Sequence, residues 1–194
     1  LVLSDYLTRN GIVVLRYDDR GVGESKGDFN ASTSIDFASD ASAAVNYLVS
    51  RTDIPIRNIG IAGHSEGGLI APITASENNE VDFIVLMAGP GIPGDSILLL
   101  QGDLIAKASG MSEESVKALH ELRKNIMQVA KDEIDNDVMR NNMITLNKNF
   151  IANTPKHILD ELEMTEDDVE EGLDIYTGEW MQFFLAYNPR PTLE

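Results

Sequence analysis

The sequence has no cysteine, one tryptophan and only 15 basic residues against 32 acidic ones, which gives a formal net charge of −17 at pH 7. The absence of cysteine excludes disulfides, thiolate metal sites and a cysteine nucleophile. The shortage of lysine and arginine argues against nucleic acid as a partner, because those side chains neutralise phosphates. No apolar run approaches the ~18 residues of a membrane-spanning helix. What remains is a globular protein of 194 residues, in which one core with a large insertion is the natural expectation.

Both ends of the sequence suggest a segment of a longer protein. It opens on Leu1, without an initiator methionine or a signal peptide, and already lies within an apolar helical pattern. It stops at Glu194 without a closing element. We therefore expect a chain truncated at both ends. The lack of cysteine does not fix the compartment, and bacterial cytoplasm and periplasm both stay open.

Residues 1–94 alternate between helical and strand patterns, which is typical of a parallel α/β sheet. Leu3–Arg9 has a helical pattern that ends before Gly11, and residues 35–50 have a second one. The β-branched, mostly apolar run Ile12–Tyr17 predicts a strand that is covered on both faces. Two further strands are predicted at residues 58–62 and 81–88.

Residues 95–194 have a different character. They contain no convincing strand pattern, and their 20 acidic residues stand against 9 basic ones. Ser112, Thr154 and Thr165 are predicted to begin three helices, since serine and threonine cap helix N-termini. We predict two domains, an α/β core segment over residues 1–94 and a helical cap or lid over residues 95–194.

The sequence Gly63-His64-Ser65-Glu66-Gly67 follows a predicted strand and precedes a predicted helix. A G-x-S-x-G turn in this position exposes a serine hydroxyl on a tight bend, and its two glycines are expected to avoid collisions with neighbouring elements. The turn also points the first amides of the helix at the reacting carbonyl. The N–H of Glu66 is therefore placed to bind a developing oxyanion. A role for the Glu66 carboxylate is left open.

Two motifs in order resemble those of the α/β-hydrolase superfamily. Asp18-x-Arg20-Gly21-x-Gly23-x-Ser25 is similar to the turn after that fold's fourth strand, and Gly63–Gly68 is similar to the nucleophile elbow after its fifth. Met87–Pro90 looks like the end of its sixth strand, after which many members insert a helical cap. The resemblance favours bacterial carboxylesterases and the related prolyl-oligopeptidase-like branch. It implies a partial α/β-hydrolase parallel sheet with a helical cap insertion.

The resemblance implies a serine hydrolase that acts on carboxylic esters through an acyl-enzyme at Ser65, with the Glu66 N–H in the oxyanion hole. It implies no metal and no organic cofactor, and a small ester or a short acyl or peptide substrate. Its second oxyanion donor would lie before Leu1, and its acid and histidine after Glu194. The isolated segment is therefore expected to be inactive. A peptidase, or a non-catalytic interaction protein of the same fold, stays open as an alternative.

In this superfamily another strand lies between the two that correspond to residues 12–17 and 58–62. Without it, these two segments must pair directly, or a strand from another chain must fill the gap. Unpaired strand edges favour swapping and association. We therefore expect a rearranged sheet, a homo-oligomer or a strand swap.

The sequence offers no credible base for Ser65 among its three histidines. The side chain of His64 should point away from the serine, His120 should lie at the edge of an apolar helix stripe, and His157 should be exposed. Asp95 follows the third predicted strand, where some family members carry the triad acid, but it is expected to start the lid.

Three other polar or aromatic groups have structural interpretations. Asp18, Arg20 and Ser25 are expected to stabilise their own turn through side-chain hydrogen bonds and an ion pair. The nine carboxylates of residues 160–174 lack the spacing of a calcium loop and predict a solvated face. Five aromatic residues recur at helical spacing, and lining an acyl pocket or packing the lid on the core are about equally favoured for them: Tyr176, Trp180, Phe183, Phe184 and Tyr187.

Overall fold

A computed structural model describes residues 2–194 as nine α-helices, two short 3₁₀ helices and two β-strands. In chain order the elements of the first half are α1 (Val2–Arg9), α2 (Ser34–Ser50), β1 (Gly60–His64), α3 (Gly67–Glu77) and β2 (Phe83–Met87). Those of the second half are α4 (Gly94–Ala108), α5 (Glu113–Asp132), α6 (Asn136–Asn153), α7 (Lys156–Leu162), the 3₁₀ helices Glu166–Glu170 and Leu173–Thr177, α8 (Glu179–Ala186) and α9 (Arg190–Leu193).

The sheet consists of two parallel strands joined by a crossover helix. β1 pairs with β2 in a register that sets Gly60 opposite Phe83 and His64 opposite Met87. Helix α3 makes the crossover and packs against both strands, while α2 packs against α3. A parallel pair requires such a crossover, because its strands run in the same direction. The structure thus confirms a partial α/β-hydrolase sheet. β1 begins and ends two residues later than predicted, and β2 is shorter than its predicted range 81–88.

The prediction of a strand at residues 12–17 is wrong. This segment has no regular secondary structure, and Ile12, Val13 and Tyr17 are about half exposed. A strand exists only where its backbone groups pair with a neighbour, and within residues 2–194 the sheet contains β1 and β2 alone. The apolar side chains that gave the segment its strand pattern consequently face solvent. The direct pairing of residues 12–17 with residues 58–62 is not observed.

The turn at residues 18–25 is stabilised by a hydrogen bond within the turn and by contacts of Arg20 with helix α2. Ser25 Oγ donates a hydrogen bond of 2.7 Å to the Asp18 carbonyl, as the sequence predicted. The expected ion pair within the turn is not formed, because Arg20 reaches helix α2 instead. Its Nε and Nη2 donate to the Asp40 carboxylate at 2.7 and 2.8 Å, and Nη2 also donates to the Asp36 carbonyl at 2.9 Å. Arg20 Nη1 also donates to the Asp36 carboxylate at 3.3 Å, so two carboxylates one helical turn apart place acceptors along one face of α2.

The second half of the chain is helical, as predicted, and has its own apolar core. The side chains of this core come from α5, α6, α8 and the second 3₁₀ helix. A second cluster joins the two halves, since Phe184 of α8 packs with Ala38 of α2 and with Leu69 and Ile73 of α3. No helix within residues 2–194 combines the length and apolarity that crossing a bilayer requires. The buried members of the first core are Leu122, Ile126, Met127, Ala130, Met139, Met143, Leu173, Met181 and Leu185.

Two of the three helix caps that the sequence predicted in this half are observed. Ser112 accepts a hydrogen bond from the Ser115 N–H at the start of α5, and the side chain of Thr165 accepts one from the Asp167 N–H. The segment after Thr165 is a 3₁₀ helix rather than an α-helix. Thr154 ends α6, and Pro155 caps α7. The sequence pattern did not predict α6 itself, whose apolar residues are interrupted by polar asparagines.

Glu161 of α7 is hydrogen-bonded to the start of α5. These bonds are expected to make the free energy of unfolding depend on pH. Ser112 Oγ and N–H donate to its carboxylate at 2.6 and 2.8 Å, and Ser115 Oγ also donates to it. These hydrogen bonds lower the pKa of Glu161 below its ordinary value, and the bond from the Ser112 hydroxyl has the largest effect. The resulting stabilisation is complete above the unfolded-state pKa and is lost as pH falls through the lower folded-state pKa.

We expect E161Q to unfold at a lower temperature than the wild type at neutral pH. The difference should shrink below about pH 4, because the wild-type carboxylate then becomes protonated as well. Thermal unfolding, followed by circular dichroism at neutral pH and below about pH 4, measures the difference between the two proteins. E163Q, at an exposed position two residues away, controls for the removal of one negative charge. A difference that stays constant down to pH 3 would contradict the assignment.

Candidate active site

Ser65 lies on a tight turn between a strand and a helix. β1 ends at His64 and α3 begins at Gly67, so only two residues connect them. Ser65 has a φ of +54°, which a residue with a side chain rarely adopts. Its N–H donates a 3.0 Å hydrogen bond to the Met87 carbonyl at the end of β2, and its side chain is exposed. This is the backbone geometry in which α/β-hydrolases present a nucleophile.

The glycines of the motif have unequal roles. A Cβ at Gly63 would overlap the carbonyl of Gly67, and a Cβ at Gly68 would overlap the backbone of Gly89 after β2. A Cβ at Gly67 would meet no atom within 4 Å. The expectation that both glycines of G-x-S-x-G avoid a collision therefore holds for Gly63 and is wrong for Gly67. The next glycine along, Gly68, lets α3 approach the turn after β2.

The backbone N–H of Glu66 donates no hydrogen bond to any residue in the described part of the chain. Glu66 occupies the N-cap position of α3, where the first amides of a helix have no partner within the helix. Such amides carry the positive end of the helix dipole and bind anions. The residue after Ser65 thus has a backbone donor without a partner among residues 2–194, and its role as oxyanion donor stays a prediction.

The carboxylate of Glu66 is hydrogen-bonded to side chains of two other helices. Its Oε1 accepts a hydrogen bond of 2.7 Å from Ser34 Oγ at the start of α2 and one of 2.6 Å from Trp180 Nε1 on α8. Sequence reasoning left this carboxylate without a role. No local signal could have found the contact with Trp180, because 114 residues separate the two side chains.

None of the three histidines is hydrogen-bonded to the hydroxyl of Ser65. His64 is exposed at the end of β1. His120 is half-buried between α5 and α4, and its Nδ1 lies 2.8 Å from Asp103 Oδ2. His157 is exposed on α7, with Nε2 3.3 Å from Glu114 Oε2. Among residues 2–194 the hydroxyl of Ser65 has no hydrogen-bond partner, and so no base is assembled on it there.

Asp95 and several carboxylates of residues 160–174 form ion pairs or hydrogen bonds within the helical half. Asp95 lies in the first turn of α4 and pairs with Lys131 of α5. Burial opposes its ionisation, but hydrogen bonds from Lys131 and Ser96 lower its pKa overall. In the acidic stretch, Arg140 pairs with Glu170 and Asp174. Across residues 2–194, no group of three or more acidic or histidine side chains is arranged to hold a metal ion.

The aromatic residues of the last helices are used for packing. Trp180 stacks on Phe184 with ring centroids 5.2 Å apart, and Phe183 stacks on Tyr187 at 5.1 Å. Phe184 is buried in the cluster that joins the two halves. Two cavities of about 340 and 280 Å³ lie between helices of the second half, and all their lining residues fall between Asp95 and Leu146, away from Ser65.

Comparison with known proteins gives two matches. A sequence model of a family described as serine aminopeptidase, S33, matches residues 2–171. Esterase EstD of Thermotoga maritima is 29% identical over 121 residues, which cover 61% of this chain and 28% of that esterase. The chain thus spans well under two thirds of the length of this curated relative. No solved structure matches it significantly.

Proposed function

Since this chain belongs to the serine aminopeptidase S33 family of the α/β-hydrolase superfamily, we propose that the full-length gene product hydrolyses carboxylic esters through an acyl-enzyme formed on Ser65. One observation carries the proposal. Ser65 is held at a φ of +54° between β1 and α3, with its hydroxyl exposed and the Glu66 N–H unpaired beside it. The likeness to an esterase supports the ester as substrate class.

The turn suits acyl transfer in two steps. Ser65 Oγ attacks the ester carbonyl carbon while a base accepts its proton, and the carbonyl oxygen becomes an oxyanion that accepts a hydrogen bond from the Glu66 N–H. Collapse of this intermediate breaks the bond to the alkoxy oxygen, which leaves as the alcohol with the proton returned by the base. Water then attacks the acyl-enzyme by the same route and releases the carboxylic acid.

We further propose that the base and its acid partner come from outside the described residues. The support is the placement of the histidines, two of which pair with carboxylates on the helical half. An unassisted serine hydroxyl is a weak nucleophile at neutral pH. The 194-residue chain alone should therefore hydrolyse esters poorly, while the full-length gene product should be active.

Labelling with a fluorophosphonate probe tests the nucleophile. In the full-length gene product we expect one adduct, located on Ser65 by mass spectrometry and absent from S65A. An adduct on another serine, or none from a folded protein, would contradict the proposed function. Rapid labelling of the 194-residue chain by itself would contradict the external base and leave the nucleophile standing.

A peptidase acting on short peptides is the second candidate, and the family description favours it. The elbow suits attack on an amide carbonyl equally well, since the oxyanion is the same. Rates on p-nitrophenyl acyl esters and on aminoacyl p-nitroanilides separate the two. A clear preference for esters in kcat/KM supports the esterase, and a preference for anilides with a free amino group supports the aminopeptidase.

We also propose that residues 95–194 form a cap on the core segment 1–94 and that the chain self-associates through its sheet edges. Supporting the cap, Phe184 packs onto α2 and α3. Supporting association, β2 exposes Phe83, Val85 and Leu86, while residues 12–17 expose further apolar side chains. Light scattering after size exclusion should give a mass above 21.3 kDa for this chain. A monomer would contradict association and favour neither enzyme over the other. An oligomeric full-length gene product without a Ser65 adduct would favour the interaction protein.

A further inference from the structure

We propose that Glu66 is a positioning residue, whose carboxylate is held away from the oxyanion site by Ser34 and Trp180. The inference rests on the proposed function and deepens it. Glu66 has two polar groups with opposite needs, an N–H that must stay free for the oxyanion and a carboxylate that must not approach it. In the structure the N–H has no partner among residues 2–194, and the carboxylate is bound by Ser34 and Trp180.

The carboxylate has a physical reason to move toward the oxyanion site unless it is held. It belongs to the N-cap residue of α3, and the positive end of the helix dipole attracts negative charge toward the first amides of the helix. Those amides are the donors that the oxyanion would use. A carboxylate folded over them would occupy the donors and repel the negative charge that develops in the transition state.

The two donors that hold the carboxylate are themselves fixed. Ser34 is fully buried in the first turn of α2, and its Oγ donates at 2.7 Å. Trp180 stacks on the buried ring of Phe184, and its Nε1 donates at 2.6 Å. Both bonds go to Oε1, and hydrogen bonds to an ionised acceptor are short and strong.

Because Trp180 lies on α8, the bond also connects the helical half to the turn that carries Ser65. A displacement of α8 would release the carboxylate toward the oxyanion donors. The position of α8 against the turn therefore determines whether the oxyanion donors stay free, although Trp180 and Glu66 are 114 residues apart in the sequence.

Kinetics of fluorophosphonate labelling in the full-length gene product test the positioning role. W180F keeps the ring and loses the N–H that holds the carboxylate, so the maximal labelling rate should fall about 10-fold with the half-saturating probe concentration little changed. S34A, which removes the other donor, should lower the rate in the same direction. E66Q/W180F carries no charge on the freed side chain and should regain most of the rate that W180F loses. E179A, at an exposed glutamate of α8, is the matched control and should label like wild type.

The outcomes separate this inference from the proposed function. An adduct on wild-type Ser65 together with a wild-type rate in W180F would overturn the positioning role alone. Equal losses in W180F and E66Q/W180F would also overturn it, because the freed charge would then not be responsible. A fall in thermal stability without a fall in the maximal rate would show a merely structural contact. Absence of the Ser65 adduct from the wild type would overturn both.

Discussion

Replacing Ser65 by alanine should lower ester hydrolysis by the full-length gene product by about 10⁴-fold or more, with the protein still folded. The hydroxyl is the atom that bonds to the acyl carbon, and no neighbouring side chain can take its place. The side chain is exposed and has no hydrogen-bond partner among residues 2–194, so its removal costs no packing there. Steady-state rates on a p-nitrophenyl ester measure the loss, and circular dichroism checks the fold.

A second substitution at the same position separates catalysis from backbone strain. Ser65 has a φ of +54°, which glycine adopts without steric cost and alanine does not. S65G should therefore be as inactive as S65A but more stable than S65A, by about 1 kcal/mol in urea unfolding. Equal stability of the two variants would contradict the strained turn, and residual activity in either would contradict the role of Ser65 as nucleophile.

Replacing Gly63 by alanine should disrupt the turn and destabilise the protein by about 3 kcal/mol. The added Cβ would overlap the backbone carbonyl of Gly67, and neither group can move without shifting β1 or the first turn of α3. Activity should be lost with stability, because the displaced turn carries both Ser65 and the Glu66 N–H. Urea unfolding and fluorophosphonate labelling measure the two effects.

Gly67 provides the matched control for this experiment. It is the other glycine of the same motif, but a Cβ there would meet nothing within 4 Å, and Gly67 does not have a positive φ. G67A should keep wild-type stability or gain a few tenths of a kcal/mol, since alanine favours a helix more than glycine does. If G67A were as damaging as G63A, the close approach of β1 and α3 would not be the cause.

The parts of the fold that the sequence predicted are those decided by local chemistry. Gly11 ends α1 with a φ of +82°, Ser112 caps α5, and the strand-turn-helix order around Ser65 follows from glycine, serine and apolar periodicity within a few residues. The strand at residues 12–17 could not be decided locally, because its existence depends on a partner elsewhere in space.

The same limit applies to the site. The position of Ser65 and the free N–H of Glu66 depend on one short turn, and the motif predicts both. Arg20 was expected to pair within its own turn, but its partners lie on a neighbouring helix. The partners of the Glu66 carboxylate depend on how α2 and α8 pack, which no spacing along the chain reveals.

The contact between Trp180 and Glu66 also provides an optical signal. Trp180 is the single tryptophan of these 194 residues, so their indole emission arises at one place, against the carboxylate beside Ser65. Any event that lifts α8 from this turn changes the polarity around that indole and shifts its emission. Intrinsic fluorescence of this chain therefore reports the state of the turn directly, without a dye and without an added substrate.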